Sequence, residues 1–412
     1  MSISNWFKDI WFVFCTEINR IFHDSGVMLI FFGAGLIYPI IYNLIYFNDD
    51  LEEVPIAVVD ARPGVESRRF IHNLEASPLV KIAATPQNMY QAKQLMVEQK
   101  VHGIVHFPDD YNEAIKSGNK QAHIDVFNDM STFLYMKNVT SAVNFVMLNT
   151  MHDVQIQRYN MMGMVGEPAE QLVQAVPYSP VALFSTGGYS SFLVPAILVL
   201  IIHQTLFFGI GMLGGTAREE NSELYYLPGK EHQKAFARII LGRALAYMLI
   251  YLGISFYCLI FIPRLFHLPH VGNLLDIIGF IIPFLIATIN FCMTVSVFVR
   301  HRETGMITLL ATTLILVFIS GFSWPHAAMP TFWRYVSYMF PSTLGVNAFL
   351  HINTMGAHIG ETMWEIRGLW IQSAIYLLTA TLSLQISAYK DKKKRLAEQQ
   401  ANTIEYDEEQ KK

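Results

Sequence analysis

The residues of this chain that could do chemistry are few, and most are spaced badly for it. Nucleotide hydrolysis would need G-x-x-x-x-G-K-[ST], whose backbone amides wrap the phosphates while the hydroxyl holds magnesium. The nearest string, Leu227-Pro228-Gly229-Lys230-Glu231, puts a glutamate where the hydroxyl must sit and lacks the earlier glycine. Any work against a gradient would therefore draw its energy from a partner chain or from an ion gradient. His102 and His106 have the i, i+4 spacing that suits a metal on a helix. Their neighbours Val101, Ile104, Val105 and Phe107 read as a strand, so no metal site is expected. No nucleophile–base pattern stands out, and no catalytic residue is assigned. Inside or beside the apolar blocks lie Asn43, His203, Gln204, Arg243, Asp276, Asn290, Gln372 and Gln385. Such groups are costly in lipid and often mark a pathway. Here they are scattered, with no carboxylate at the middle of a block, which argues against a proton-coupled carrier. Arg243 and Asp276 fall near block ends, where they can snorkel or face headgroups.

These groups sit in a chain of 412 residues that is 52% hydrophobic and only 15% charged. A soluble domain carries about 25% charge, so the composition points to a membrane protein. The formal charge of −4 and the lack of a basic stripe interleaved with aromatics exclude a nucleic-acid partner. A crossing helix needs roughly 20 apolar residues. Six segments approach that length: 27–47, 192–213, 239–262, 275–299, 306–321 and 369–389, the fifth being the shortest. The opening 24 residues are too interrupted by polar groups for a cleavable signal peptide, so the first block is read as a retained span. Residues 1–26 interleave Trp6, Ile10, Phe12 and Phe22 with Lys8, Asp9, Glu17 and Arg20, the pattern of an amphipathic helix lying in the membrane interface.

Residues 48–190 form one long polar insert that alternates β-rich and helical runs. Strands are expected at VPIAVVD, LVKIAAT, VHGIVHF and AHIDVF, with helices at SRRFIHNLEAS and MYQAKQLMVEQK and a continuous helix from Thr132 to about Tyr159. Cys15, Cys258 and Cys292 all lie outside the insert, so it must fold on its own core without disulfides. The expected fold is thus an α-helical polytopic membrane protein of about six transmembrane helices with an inserted α/β extracytoplasmic domain. Orientation follows from the positive-inside bias. With the N-terminus inside, the inner segments hold fifteen Lys/Arg: Lys8, Arg20, Arg218, Lys230, Lys234, Arg238, Arg300, Arg302, Lys390, Lys392, Lys393, Lys394, Arg395, Lys411 and Lys412. The short outer loops hold three, Arg264, Arg334 and Arg367. Both termini, including the charged tail 390–412, are therefore expected in the cytoplasm and the insert outside.

Two connections within the membrane domain 191–389 invite a role. The inner loop 214–238 mixes charges with Leu224, Tyr225, Tyr226 and Leu227, and a short amphipathic helix there could dock on a cytosolic partner with Arg218, Glu219, Glu220 and Glu223 fixing register. A plain solvated loop fits the same spacing. The outer segment 322–368 is too apolar for a plain loop, and Pro325, Pro330 and Pro341 cut it into pieces too short to span. Re-entrant or interfacial helices fit it, as does an aromatic belt with no gating role.

Four segments, taken in order, resemble the type-2 (ABC-2) permease family of bacterial ABC exporters, in the multidrug-efflux-like branch with a large periplasmic domain between the first and second spans. They are the strand ending in Asp60 followed by Ser67-Arg68; the strand, Pro108-Asp109-Asp110-Tyr111 and helix that follow; SSFLVPAILVLIIHQT with GTAREENSEL; and SGFSWPHAAMPTFWRYVSYMFPST. The resemblance implies a second permease subunit, identical or similar, and a separate cytosolic ABC ATPase that binds ATP and magnesium, while this chain binds no cofactor. Arg218 and Glu219 match the family's Arg-Glu pair and Glu223 falls near its later glutamate, although Asn221 and Ser222 replace the usual aromatic-glycine. An outer gate is implied at Trp324, Pro325, Pro330, Trp333, Tyr338 and Pro341. The implied function is export of lipophilic or drug-like compounds across a bacterial inner membrane, with a periplasmic adaptor and an outer-membrane channel as possible further partners and membrane lipid as the surroundings. Export of an envelope lipid or glycan is an alternative reading. So is a non-transporting receptor with an external sensing domain.

Overall fold

The computed structural model describes residues 3–46, 51–117, 120–173, 193–219, 236–268, 270–299 and 301–410. In chain order these hold α1 (Ile3–His23), α2 (Ser25–Ile45), β1 (Val54–Asp60), α3 (Val65–Glu75), β2 (Val80–Ala84), α4 (Met89–Val97), β3 (Gly103–Phe107), α5 (Tyr111–Ser117), β4 (Asp125–Asn128), α6 (Phe133–Met161) and α7 (Glu167–Val173). There follow α8 (Leu193–Glu219), α9 (Phe236–Leu265), α10 (Leu274–Ser296), α11 (Arg302–Ile319), α12 (Thr331–Ser337), α13 (Pro341–Asn353) and α14 (Met363–Gln410). The chain divides into two compact units, one of Met1–Asp49 with Ala182–Lys412 and the other Asp50–Val181.

The Asp50–Val181 unit is built on a four-stranded sheet in the order β2-β1-β3-β4, parallel except for the antiparallel β3–β4 pair. β1 reads as an unbroken apolar run because helices cover both of its faces. Val54, Ile56 and Val58 pack with Phe70 and Leu74 of α3 and with Val139, Val143 and Val146 of α6. Ala57 and Val59 point the other way, onto Ala92 of α4. Gly103 admits α6 closely, since a Cβ there would stand 2.8 Å from Val139. His106 of β3 and His102 just before it meet carboxylates on or just beyond the edge strand: His106 Nδ1 lies 3.0 Å from Asp125 and His102 Nδ1 lies 3.2 Å from Asp129. Hydrogen bonds from the Ser131 hydroxyl and amide, with His102 beside them, hold the Asp129 carboxyl down at about 2.

In the other unit, five helices are long and apolar enough to cross a membrane: α2, α8, α9, α10 and the Met363–Tyr389 part of α14. The remaining expected span coincides with α11, an 18-residue helix whose apolar run among the described residues is Leu310–Ile319. At 1.5 Å per residue α11 is about 27 Å long, close to the roughly 30 Å hydrocarbon thickness, but its first turn carries Arg302 and Glu303. α2 and α9 each contain a π-helical turn, at Leu29–Ala34 and Tyr257–Phe261. These turns are neighbours, for the Tyr257 hydroxyl donates to the Leu36 carbonyl at 3.0 Å and Cys258 Sγ reaches the Gly35 carbonyl at 3.4 Å. Small residues let α2 and α8 approach: a Cβ on Gly209 would lie 1.9 Å from Phe31. After Tyr389 the last helix continues to Gln410.

α1 turns its two acids inward. Asp9 and Glu17 are buried, while Trp6, Phe7, Trp11, Phe12 and Phe22 are exposed. Asp9 pairs with Arg238 of α9, and Glu17 accepts from Arg243 Nε at 2.9 Å and from the Tyr247 hydroxyl. Arg243 therefore does not snorkel to headgroups as its position suggested. It is buried because a carboxylate 226 residues earlier in the chain neutralises it.

Candidate functional site

The polar residues at the end of α8 are organised around Arg302. Its guanidinium makes two 2.7 Å hydrogen bonds to the two carboxylate oxygens of Asp24, and a third, at 3.1 Å, to the Thr216 hydroxyl. Asp24 at the same time caps α2, accepting from the amides of Gly26 and Val27 at 3.0 and 3.1 Å. Burial pushes the Asp24 carboxyl up, but Arg302 and the two amides outweigh it and hold it below the usual carboxylate range. A glycine is needed at 215, because a Cβ there would stand 2.9 Å from the Arg302 backbone.

Of the four residues expected to meet a partner ATPase, two lie in this network. Arg218 donates to the carbonyls of Ser296, at 3.2 Å, and Val299. Glu219 accepts from the Arg302 amide at 3.0 Å and lies 3.5 Å from His301 Nδ1. Both are thus turned onto the α10–α11 connection, where Arg218 satisfies carbonyls that the end of α10 leaves without helical partners. Glu220 and Glu223 lie outside the described residues. Sequence reading missed Asp24 and Arg302. Their only signal was an acid just before the first apolar block and a basic pair, Arg300 and Arg302, just before the fifth.

The six residues expected at an outer gate differ in burial. Trp324, Pro325, Pro330 and Trp333 are exposed, whereas Tyr338 is half-buried and Pro341 is buried at the start of α13. Tyr338 stacks on His326 with centroids 5.6 Å apart, and its carbonyl accepts from Gln372 Nε2 of α14 at 2.7 Å. His326 also sits 3.3 Å from the Ser337 hydroxyl, packed under Gly321, whose φ of +96° only glycine adopts without strain. α13 itself is buried among α8, α10 and α14, with Gly345 against Phe284 and Val199.

A separate cavity of about 350 Å³ lies between α2, α8 and α11, lined by Ile30, Tyr38, Phe208, Met306 and Leu310 with Gln204 and Thr205 as its polar members. A concave, largely apolar wall with a few placed polar groups is how proteins hold lipophilic small molecules. Among the described residues no group of three or more His, Cys, Asp or Glu could hold a metal ion.

The fold thus defines a multi-pass helical membrane protein, with an α/β unit inserted after its first span. The chain belongs to the ABC-2 family: the profile described as "ABC-2 family transporter protein" matches residues 26–382. It is similar to "Probable multidrug ABC transporter permease YbhS" of Escherichia coli (strain K12), with 22% identity over 331 residues that cover 79% of this chain and 83% of the relative. The protein of the same name from Escherichia coli O157:H7 matches to the same extent, 22% over 331 residues. The chain is therefore a transporter permease and not itself an enzyme.

Proposed function

We infer that this permease extrudes lipophilic or drug-like compounds from a bacterial cell, driven by a separate cytosolic ABC ATPase and working with a second permease subunit. The observation that carries this reading is the apolar cavity between α2, α8 and α11, whose 350 Å³ suits a small lipophilic molecule and whose Gln204 and Thr205 offer it a hydrogen bond. The multidrug designation of the similar Escherichia coli permease supports the same substrate class. ATP and magnesium belong to the ATPase. The chain lies in the inner membrane with both termini in the cytoplasm and the α/β unit outside, where it would meet any periplasmic adaptor and outer-membrane channel.

Force would enter at the cytoplasmic end of α8. The partner engages residues 214–238, and movement there passes through Glu219 and Arg218 to the α10–α11 connection, then through Arg302 to Asp24 at the start of α2. Helices α2, α8 and α11, which line the cavity, are the ones so linked. Closure that both nucleotide and substrate favour would alternate the cavity's access and open the outer side near Tyr338 and Pro341.

Purification of the tagged chain from native membranes, followed by identification of what accompanies it, tests the ATPase partnership. Reconstitution of that complex with a fluorescent lipophilic dye then tests transport. ATP-dependent dye movement that Gln204→Leu alters in its dye preference supports the assignment. Absence of any ATPase from repeated preparations would remove it.

A further inference from the structure

The stripe of α6 that packs on the sheet does not end where the sheet ends. Val139, Val143 and Val146 are buried over β1 and β3. The same face continues as Met147, Thr150, Met151, Val154 and Arg158, and these line an open cleft. Its opposite wall is Phe70 of α3, Tyr111 and Ile115 of α5, and residues 120–124. The cleft holds about 580 Å³, within the range of roughly 300–1,000 Å³ usual for small-molecule sites.

The floor and the rim differ in chemistry. Phe70 and Tyr111 both set their rings edge-on to Phe107, at 5.6 and 5.0 Å, so the floor is aromatic and fixed. Burial, with Glu66 and Asp60 adding to it, pushes the Tyr111 phenol up to about 12, so it remains a neutral group at any physiological pH. Met147 and Met151, one turn apart on α6, give an unbranched and polarisable wall that can mould to different shapes. The basic members of the lining are Lys120, His123 and Arg158. Arg158 Nη2 donates to the Ile115 carbonyl at 3.4 Å, which ties its guanidinium to the far wall, and Lys120 Nζ lies 3.9 Å from Asp110. Asp110 beside Lys120, and Asp60 and Glu66 near Tyr111, stand outside the lining, which holds no carboxylate itself and presents Lys120, Arg158 and His123 to the cleft. Charge complementarity therefore selects a negative head over a positive one.

We propose that this cleft is a binding site for a single-chain amphipathic anion, a small molecule with an aliphatic or aromatic body and one carboxylate, sulfate or phosphate group. The body lies along Met147, Met151 and Val154, and the anionic group meets Lys120, His123 and Arg158. The site is complete within the Asp50–Val181 unit and stands whether or not the chain exports drug-like compounds.

The test uses the full chain in nanodiscs of zwitterionic lipid, photolabelled with a diazirine-bearing decanoic acid or with the matching decylamine, then digested and mapped by mass spectrometry. The acid labels peptides from residues 111–124 and 147–158, and decanoate competes where decylamine does not. Arg158→Glu and Lys120→Glu each lower the labelling about tenfold, the equivalent of one charge-assisted hydrogen bond. Met151→Trp, which fills the cleft, abolishes labelling while the thermal unfolding of the protein stays at its wild-type value. Equal labelling by acid and amine, full labelling of the charge-reversed variants, or a cross-link joining these peptides to a second copy of the chain overturns the proposal.

Discussion

Replacing Glu17 tests whether α1 is held to α9 by charge. Glu17 is 3% exposed and Arg243 Nε lies 2.9 Å from its carboxylate, with the Tyr247 hydroxyl on the same oxygen. At an effective dielectric of about 20, two unit charges about 4 Å apart attract by about 4 kcal/mol. Removing one partner of a buried pair also strands the other, and costs about 3–5 kcal/mol. Glu17→Met and Arg243→Met are each expected to destabilise by that amount. The double variant strands neither charge of this pair and leaves only the Tyr247 hydroxyl without its acceptor, a cost of about 1–2 kcal/mol. Tyr247→Phe in the double background recovers that remainder. Equilibrium unfolding by sodium dodecyl sulfate in mixed micelles reads these differences, and Trp6 and Trp11 on α1 report its release by fluorescence. If the double variant loses as much as the sum of the single ones, with coupling below about 0.5 kcal/mol, the pair does not hold the helix and the argument fails.

Two further predictions concern the ends of the spans. Asp24→Asn keeps a side-chain acceptor for the Gly26 and Val27 amides but gives up the charged pair with Arg302, so α2 stays capped while its ionic link to α11 is lost. Substrate-stimulated ATP hydrolysis in the reconstituted complex should fall about tenfold with complex formation unchanged, and an unchanged ratio of stimulated to basal hydrolysis would remove Asp24 from the coupling path. On the other side of the spans, His358 Nδ1 lies 3.0 Å from Asp276, and that hydrogen bond and charge, with Glu361 nearby, raise the imidazole above its usual value. A raised histidine contributes below the unfolded value of about 6.5 and ceases to contribute as pH rises through the higher folded one. Hydrogen exchange across residues 354–362 should thus separate wild type from His358→Ala at pH 6 and not at pH 9. Equal differences at both pH values would show that the pairing is not charge-assisted.

What could be read from the sequence was what depends on local pattern. The apolar run Val54–Asp60 is a two-sided buried strand, the stretch from Phe133 is one continuous helix, and apolar length alone marks five crossing helices. The partners of single charges could not be read this way. Glu17 and Arg243 are 226 residues apart and Asp24 and Arg302 are 278 apart, so neither pair leaves a periodicity. Viewed alone, Glu17 makes α1 look like a helix with its charges in water, and only α9 shows that the aromatic side is the outward one. The outer segment went the same way: its prolines predicted breaks, but which aromatics pack was decided by Gln372 and His326, neither of them adjacent in the chain to what it holds.

The inward turn of Arg218 and Glu219 changes what a coupling pair would do. Arg218 is spent on two backbone carbonyls, and Glu219, although exposed, on a backbone amide. Bonds to backbone position a neighbouring element regardless of its side chains. The pair therefore joins α8 to the α10–α11 connection as one body, and Arg302 extends that body to α2. Under the coupling proposed above, the partner's chemistry is left to the loop itself, and the Arg-Glu pair would pass whatever binds there on as displacement of the helices that line the cavity.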